Sequence, residues 1–180
     1  MASGARATSE ALPEAERFRE VFGHFATGVA IVTAAAPSGT GGMTANAVCS
    51  LSLDPLLVLV CFENEARTLP LVREAGRFGV SVLRGGHEGL ARRFASKMPE
   101  GEKLAGVAQR PEAGVPVLEE ALAWCVCDLR EVAPGGDHAI VIGEVAALGG
   151  GGPGAGPLIW YRGSYRELTV CPPRAAREPR

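Results

Sequence analysis

Residues 42–62 read Gly-Met-Thr-Ala-Asn-Ala-Val-Cys-Ser-Leu-Ser-Leu-Asp-Pro-Leu-Leu-Val-Leu-Val-Cys-Phe. The first half sets the hydroxyl and amide side chains of Thr44, Asn46, Ser50 and Ser52 among Ala45 and Ala47. Residues this small fill a core poorly. They do let a ligand come close to the backbone and meet donors there. The pattern suits a flat, polar-edged ligand lying along a strand; the other reading is a tight strand whose small residues serve packing. The second half, 56–62, is an apolar, Val-containing run set off by Asp54-Pro55, which reads as a buried strand.

Three more places could carry chemistry. Arg67-Thr68 follows the apolar run and precedes a helix, where unpaired amides point outward and favour an anion; the alternative is an ordinary helix start with a solvated arginine. Arg93-Phe94-Ala95-Ser96-Lys97 offers an aromatic ring and a cation, or a core Phe94 and a surface Lys97. His138 directly follows Gly136-Asp137 at a hairpin, and imidazole titrates near neutrality. It can serve a ligand or simply bond within its own turn, with Asp137 as partner. No nucleophile signature accompanies these residues. Gly149 to Gly156 is glycine-rich but runs into Pro157 and a strand, not a helix, so it reads as a flexible loop and not a dinucleotide cradle.

The elements that must position these groups follow from periodicity. Residues 14–25 form a helix with Phe18, Val21, Phe22 and Phe25 on one face, expected to pack on the core. Residues 29–34 are a strand, 37–42 a turn, and 42–62 supply two strands. Residues 67–75 and 88–96 are short helices, Pro70 falling in a first turn where proline is tolerated. Residues 78–83, 122–132, 138–148, 158–161 and 164–170 are strands, the second and third joined as a hairpin around 134–137. Residues 97–116 are polar, hold both lysines and show no clear periodicity. About seven strands without a regular βαβ repeat favour a mainly antiparallel barrel with helices at its margins.

Composition narrows the classes further. A chain of 180 residues with 47% hydrophobic content makes one domain. We expect it over 14–170, between a disordered N-terminal tail (1–13) and a charged C-terminal tail (171–180). Net charge −2 and a pI near 6.0 argue against nucleic acid. No apolar run reaches a membrane span and no secretion signal is seen. Five cysteines without a Cys-x-x-Cys, and only three histidines, argue against a zinc site and fit a reducing cytoplasm.

The ordered set Thr27-Gly28-Val29, Thr44-Ala45-Asn46-Ala47, Ser50-Leu51-Ser52-Leu53, Phe94-Ala95, Gly136-Asp137-His138 and Gly163-Ser164-Tyr165 resembles the short-chain flavin reductases over residues 16–170. The resemblance implies a split β-barrel of the FMN-binding, antiparallel, Greek-key-like kind, assembled as a homodimer. It implies an NAD(P)H-dependent flavin reductase that passes hydride from NADH or NADPH to FMN or FAD and supplies reduced flavin to a partner monooxygenase. Its implied cofactor contacts are Thr44, Ala45, Asn46, Ala47, Ser50, Leu51, Arg67, Thr68, Phe94, Lys97, His138 and Tyr165, with no metal. His138 is the implied catalytic residue, near the nicotinamide; Arg67 stands where the family commonly has serine. Such chemistry asks the protein to stack and orient two cofactor rings, with reacting atoms about 3–3.5 Å apart, and needs no protein nucleophile. Two other readings share the barrel: a flavin- or haem-binding protein without free-flavin turnover, and a flavoenzyme acting directly on an organic substrate.

Overall fold

A computed structural model describes residues 14–150 and 156–168. The expected tails, positions 151–155 of the glycine loop and the end of the last strand lie outside the described residues. In chain order the elements are α1 (Glu14–Phe22), β1 (Thr27–Gly28), β2 (Ala30–Ala36), β3 (Gly39–Ala45), β4 (Val48–Leu53), β5 (Leu56–Glu63), α2 (Thr68–Ala75), β6 (Arg77–Val82), α3 (Glu88–Ala95), α4 (Glu100–Lys103), β7 (Gln109–Glu112), β8 (Val115–Leu118), β9 (Ala123–Gly135), β10 (His138–Gly150), β11 (Leu158–Tyr161) and β12 (Ser164–Glu167).

Seven strands pair in the order β3-β2-β6-β9-β10-β5-β4, every neighbour antiparallel. Chain connectivity forces this sheet to curl. The two edge strands, β3 and β4, are consecutive, and only Asn46 and Ala47 join them. Laid flat, the outer strands of seven would stand about 29 Å apart. The chain from Ala45 to Val48 spans at most about 11 Å. The sheet therefore wraps until its edges nearly meet; the β4–β5 pairing continues into the connection, where the Ala47 carbonyl accepts the Cys61 amide at 3.0 Å. No ladder joins β3 to β4 among the described residues, so the barrel is split there.

The barrel encloses Val32, Val60, Phe62, Phe78, Val80, Cys127 and Val141, and α2 covers it with Leu69 and Val72. A second cluster, Ile31, Leu83, Phe94, Leu118 and Leu158, lies beneath α3. Buried hydroxyls are satisfied: Thr33 Oγ1 donates to the Pro116 carbonyl at 2.5 Å, and Ser81 Oγ accepts the Leu118 amide at 3.1 Å. These bonds hold the β7–β8 hairpin against the barrel.

Three expectations need correction. Residues 37–42 are not all turn; β3 begins at Gly39. Residues 97–116, without periodicity, hold a one-turn helix and a β-hairpin, elements too short to show a period. The aromatic face of α1 does not enter the core: Phe18, Phe22 and Phe25 are 61%, 59% and 72% exposed. The barrel fills its interior from its own strands and α2, which leaves this face without a place inside. Phe18 and Phe22 stack on each other with centroids 4.5 Å apart, and with Val48, Leu59 and Trp160 they line an apolar groove.

Candidate cofactor site

A cavity of about 590 Å³ opens along the split edge, well inside the range of small-molecule sites. Its floor is the end of β3 with Asn46 and Ala47, whose small side chains leave the space above the backbone open. One wall is the end of β5 and the start of α2, with Cys61, Glu63, Arg67 and Thr68. The facing wall is the end of α3, with Phe94, Ser96 and Lys97. Glu100 and Lys103 of α4 close one end, and His138 stands among the lining residues at the start of β10.

The fold thus brings together nine residues singled out in the sequence: Thr44, Ala45, Asn46, Ala47, Arg67, Thr68, Phe94, Lys97 and His138. It does not bring Ser50, Leu51 or Tyr165 to this cavity. Ser50 and Leu51 lie exposed on the edge strand β4, where the register slips between Ser50 and Ser52. Tyr165 packs edge-on against Trp160 at 4.8 Å, beneath the Arg92 guanidinium.

Several side chains are already engaged. Thr44 Oγ1 donates to the Ala91 carbonyl at 2.6 Å, tying β3 to α3. Asn46 Nδ2 donates to Thr27 Oγ1 at 3.2 Å, which leaves the amide oxygen available. Phe94 is buried, its ring seated over the backbone of β3. A Cβ on Gly42 would stand 2.8 Å from that ring and 2.9 Å from the Val32 carbonyl. Gly42 is therefore glycine because the aromatic wall lies directly on it.

At the closed end the charges interlock. Thr68 Oγ1 and the Gly42 amide each donate to Glu100 Oε2 at 2.9 Å. Lys103, nearly fully buried, places Nζ 2.7 Å from Glu100 Oε1 and donates to the Gly42 carbonyl at 3.1 Å. Arg67 Nη2 lies 3.6 Å from Glu100 Oε1 and donates to the Met98 carbonyl at 2.5 Å. Lys97 stays exposed at the rim. Glu100 and Lys103 were missed in the sequence; the only trace was a polar stretch carrying both lysines.

His138 faces Glu63 across the β10–β5 ladder. Its Nδ1 lies 2.7 Å from Asp137 Oδ1. The hydrogen bond with His138, and then the imidazole charge, hold the Asp137 carboxyl below the usual carboxylate range. Asn64, also missed, fixes this turn: its Nδ2 donates to the Gly136 carbonyl at 3.0 Å and its amide to the Asp137 carbonyl at 3.1 Å.

The arrangement fits a flavin. It combines a thin floor for a flat ring, an aromatic wall, exposed backbone for ring-edge polar atoms, and cations with a helix start for a phosphate. Among the described residues no three His, Cys, Asp or Glu side chains gather as a metal site, and no helix is long and apolar enough to cross a membrane.

Comparison with known proteins agrees with this geometry. The family model for the flavin reductase like domain matches residues 22–169. An NADH-dependent flavin reductase of Rhodococcus is 40% identical over 155 residues, covering 84% of this chain and 85% of its own. The reductase component of Thermus thermophilus 4-hydroxyphenylacetate 3-monooxygenase is 41% identical over 156 residues, covering 86% and 97%. Among solved structures, the Streptomyces globisporus NADH:FAD oxidoreductase in complex with NAD and FAD fragments superposes with a TM-score of 0.81 at 33% identity, covering 93% and 99%. The chain belongs to the flavin reductase-like family.

Proposed function

We propose that this protein is an NADH-dependent flavin reductase that reduces free FMN or FAD and releases the product to a separate monooxygenase. The observation that carries this reading is the convergence, on one cavity, of a small-residue floor (Thr44 to Ala47), a closed end with Arg67 and Lys103, and a rim bearing Lys97 and His138. Relatives named as flavin reductases and as a monooxygenase reductase component support it.

When bound, the flavin supplies the chemistry by accepting hydride from a dihydronicotinamide. The chain's own residues position the partners. Ala45 and Ala47 leave room for the ring, while the backbone of 44–47 and the Asn46 amide oxygen meet its polar edge. Arg67 and Lys97 attract the phosphate. His138, with Nδ1 turned to Asp137, presents Nε2 to orient the nicotinamide carboxamide or deliver a proton. NADPH is a second candidate donor, for which Arg67 is the one arginine among the cavity's lining residues.

The exposed apolar groove of Phe18, Phe22, Phe25 and Trp160 supports a homodimer. The four described cysteines, all unpaired, support a reducing cytoplasm.

The test is steady-state NADH oxidation with and without excess free FMN, repeated with FAD and with NADPH. Many turnovers per chain support the reading. A single stoichiometric bleaching, or none, overturns it in favour of a flavin carrier.

A further inference from the structure

Glu100 is the most enclosed acid of the cavity, its side chain 14% exposed, and its polar partners are all donors or cations. One carboxylate oxygen accepts from the Gly42 amide and the Thr68 hydroxyl. The other faces the Lys103 ammonium and the Arg67 guanidinium. Two cations, a hydroxyl and a backbone N–H around two oxygens are also the donors that a phosphate monoester needs. The end of the cavity that suits a flavin phosphate is filled by the protein's own anion.

Both anions cannot share that end. A phosphate monoester carries a charge of about −1.5 to −2 at neutral pH. With Glu100 in place, three negative charges would crowd two cations at close range. The donors do not depend on Glu100 to stay put: Lys103 keeps its bond to the Gly42 carbonyl, and Thr68 is held at the start of α2. Glu100 itself can move. It begins a helix of four residues that follows exposed Pro99 and has no side-chain cap.

We propose that Glu100 is a built-in competitor for the flavin phosphate: its carboxylate holds the donors at the phosphate end of the cavity and must swing out when a phosphorylated flavin binds. The consequence is a flavin bound weakly enough to leave after reduction, as a diffusing substrate must. This inference rests on the flavin-reductase reading.

The experiment compares dissociation constants for oxidised FMN and for riboflavin, which lacks the phosphate, by flavin fluorescence in wild type and Glu100→Gln. The glutamine keeps an acceptor for Gly42 and Thr68 while removing the charge. The ratio of riboflavin Kd to FMN Kd should rise about tenfold or more in the variant, the scale of relieving a close like-charge pair. Inorganic phosphate should also raise the melting temperature of the variant more than that of wild type. An unchanged ratio, or weaker FMN binding, overturns the proposal and makes Glu100 a strut for Lys103. If Glu100→Gln does not fold, Glu100→Asp, with the carboxylate drawn back by one methylene, is read by the same ratio; again an unchanged value overturns it. Wild type that binds neither flavin defeats the flavin-reductase reading itself. Wild type that binds and turns over FMN while the ratio stays fixed defeats only the role of Glu100.

Discussion

His138 Nδ1 and Asp137 Oδ1 stand 2.7 Å apart at the tip of the β9–β10 hairpin. The contact fixes the imidazole through one nitrogen and frees the other, and Asn64 clamps the same turn to the end of β5. A residue held this way at a cavity wall is suited to orienting a ligand. His138→Ala is expected to slow flavin reduction by NADH, or raise its KM, by about tenfold, the worth of one good hydrogen bond. Flavin affinity should be nearly unchanged. Stopped-flow reduction beside a fluorescence titration separates the two; a collapse of flavin binding with hydride transfer intact would remove the role.

The same pair sets a pH dependence. Asp137 titrates below its ordinary value near 3.8 because it accepts the His138 hydrogen bond. Its folded pKa lies below its unfolded one, so the pairing stabilises the fold above the ordinary value. That stability is lost as pH falls through 3.8 and on through the folded pKa. Acid unfolding followed by circular dichroism should show wild type converging on His138→Ala across that window. Both carboxyl and ring are substantially exposed, so the difference should be small.

Thr44 offers a different outcome. Its hydroxyl is spent on the Ala91 carbonyl at 2.6 Å. Thr44→Val should therefore cost about 1 kcal/mol of stability by removing the hydrogen bond that ties β3 to α3. Its effect on flavin affinity should be no larger than this loosening of α3 explains. Urea unfolding together with FMN titration measures both. A large loss of affinity at unchanged stability would show that the hydroxyl reaches the ligand directly.

Gly42→Ala, behind the aromatic wall of the cavity, should be damaging. The added carbon meets the Phe94 ring at 2.8 Å and a backbone carbonyl at 2.9 Å, and the backbone cannot yield. We expect a loss of about 1–3 kcal/mol, as for overpacked cores, read as a lower midpoint in urea. By contrast, a Cβ at Gly89 meets nothing within 4 Å. Gly89→Ala on exposed α3 surface should be neutral or slightly stabilising.

The apolar face of α1 can be tested in solution. Phe18→Ser with Phe22→Ser should convert a native particle of twice the 18.7 kDa chain mass to one of a single chain mass, measured by light scattering. A wild type already at one chain mass would remove the dimer, and would leave this groove as a surface for some other partner.

The strands were largely legible because their signals are local. The apolar, Val-containing run of 56–62, the hairpin turn at Gly136-Asp137 and the Pro-containing start of α2 each act over a few residues. For Thr44 to Ala47, which line the cavity, residue size left a ligand floor and a tight packing strand both open, and only the ordered resemblance favoured the first. Glu100, Lys103 and Asn64 were not, because nothing near them in the chain distinguishes a buried ion pair or a turn clamp from a solvated surface charge. The α1 aromatics misled for a related reason: periodicity reports an apolar face but not what covers it.

Taken alone, the sequence determined the antiparallel class, most of the longer strands along the chain and the residue types that a flat, anionic ligand would meet. Local backbone preference and side-chain size suffice for these. Only the tertiary structure decided which residues meet. Curling the sheet to join β3 to β4 across two residues brings positions 44, 67, 94, 103 and 138 onto one cavity. That closure depends on contacts far apart in the chain, and so does the burial of Glu100 among donors from β3, α2 and α4.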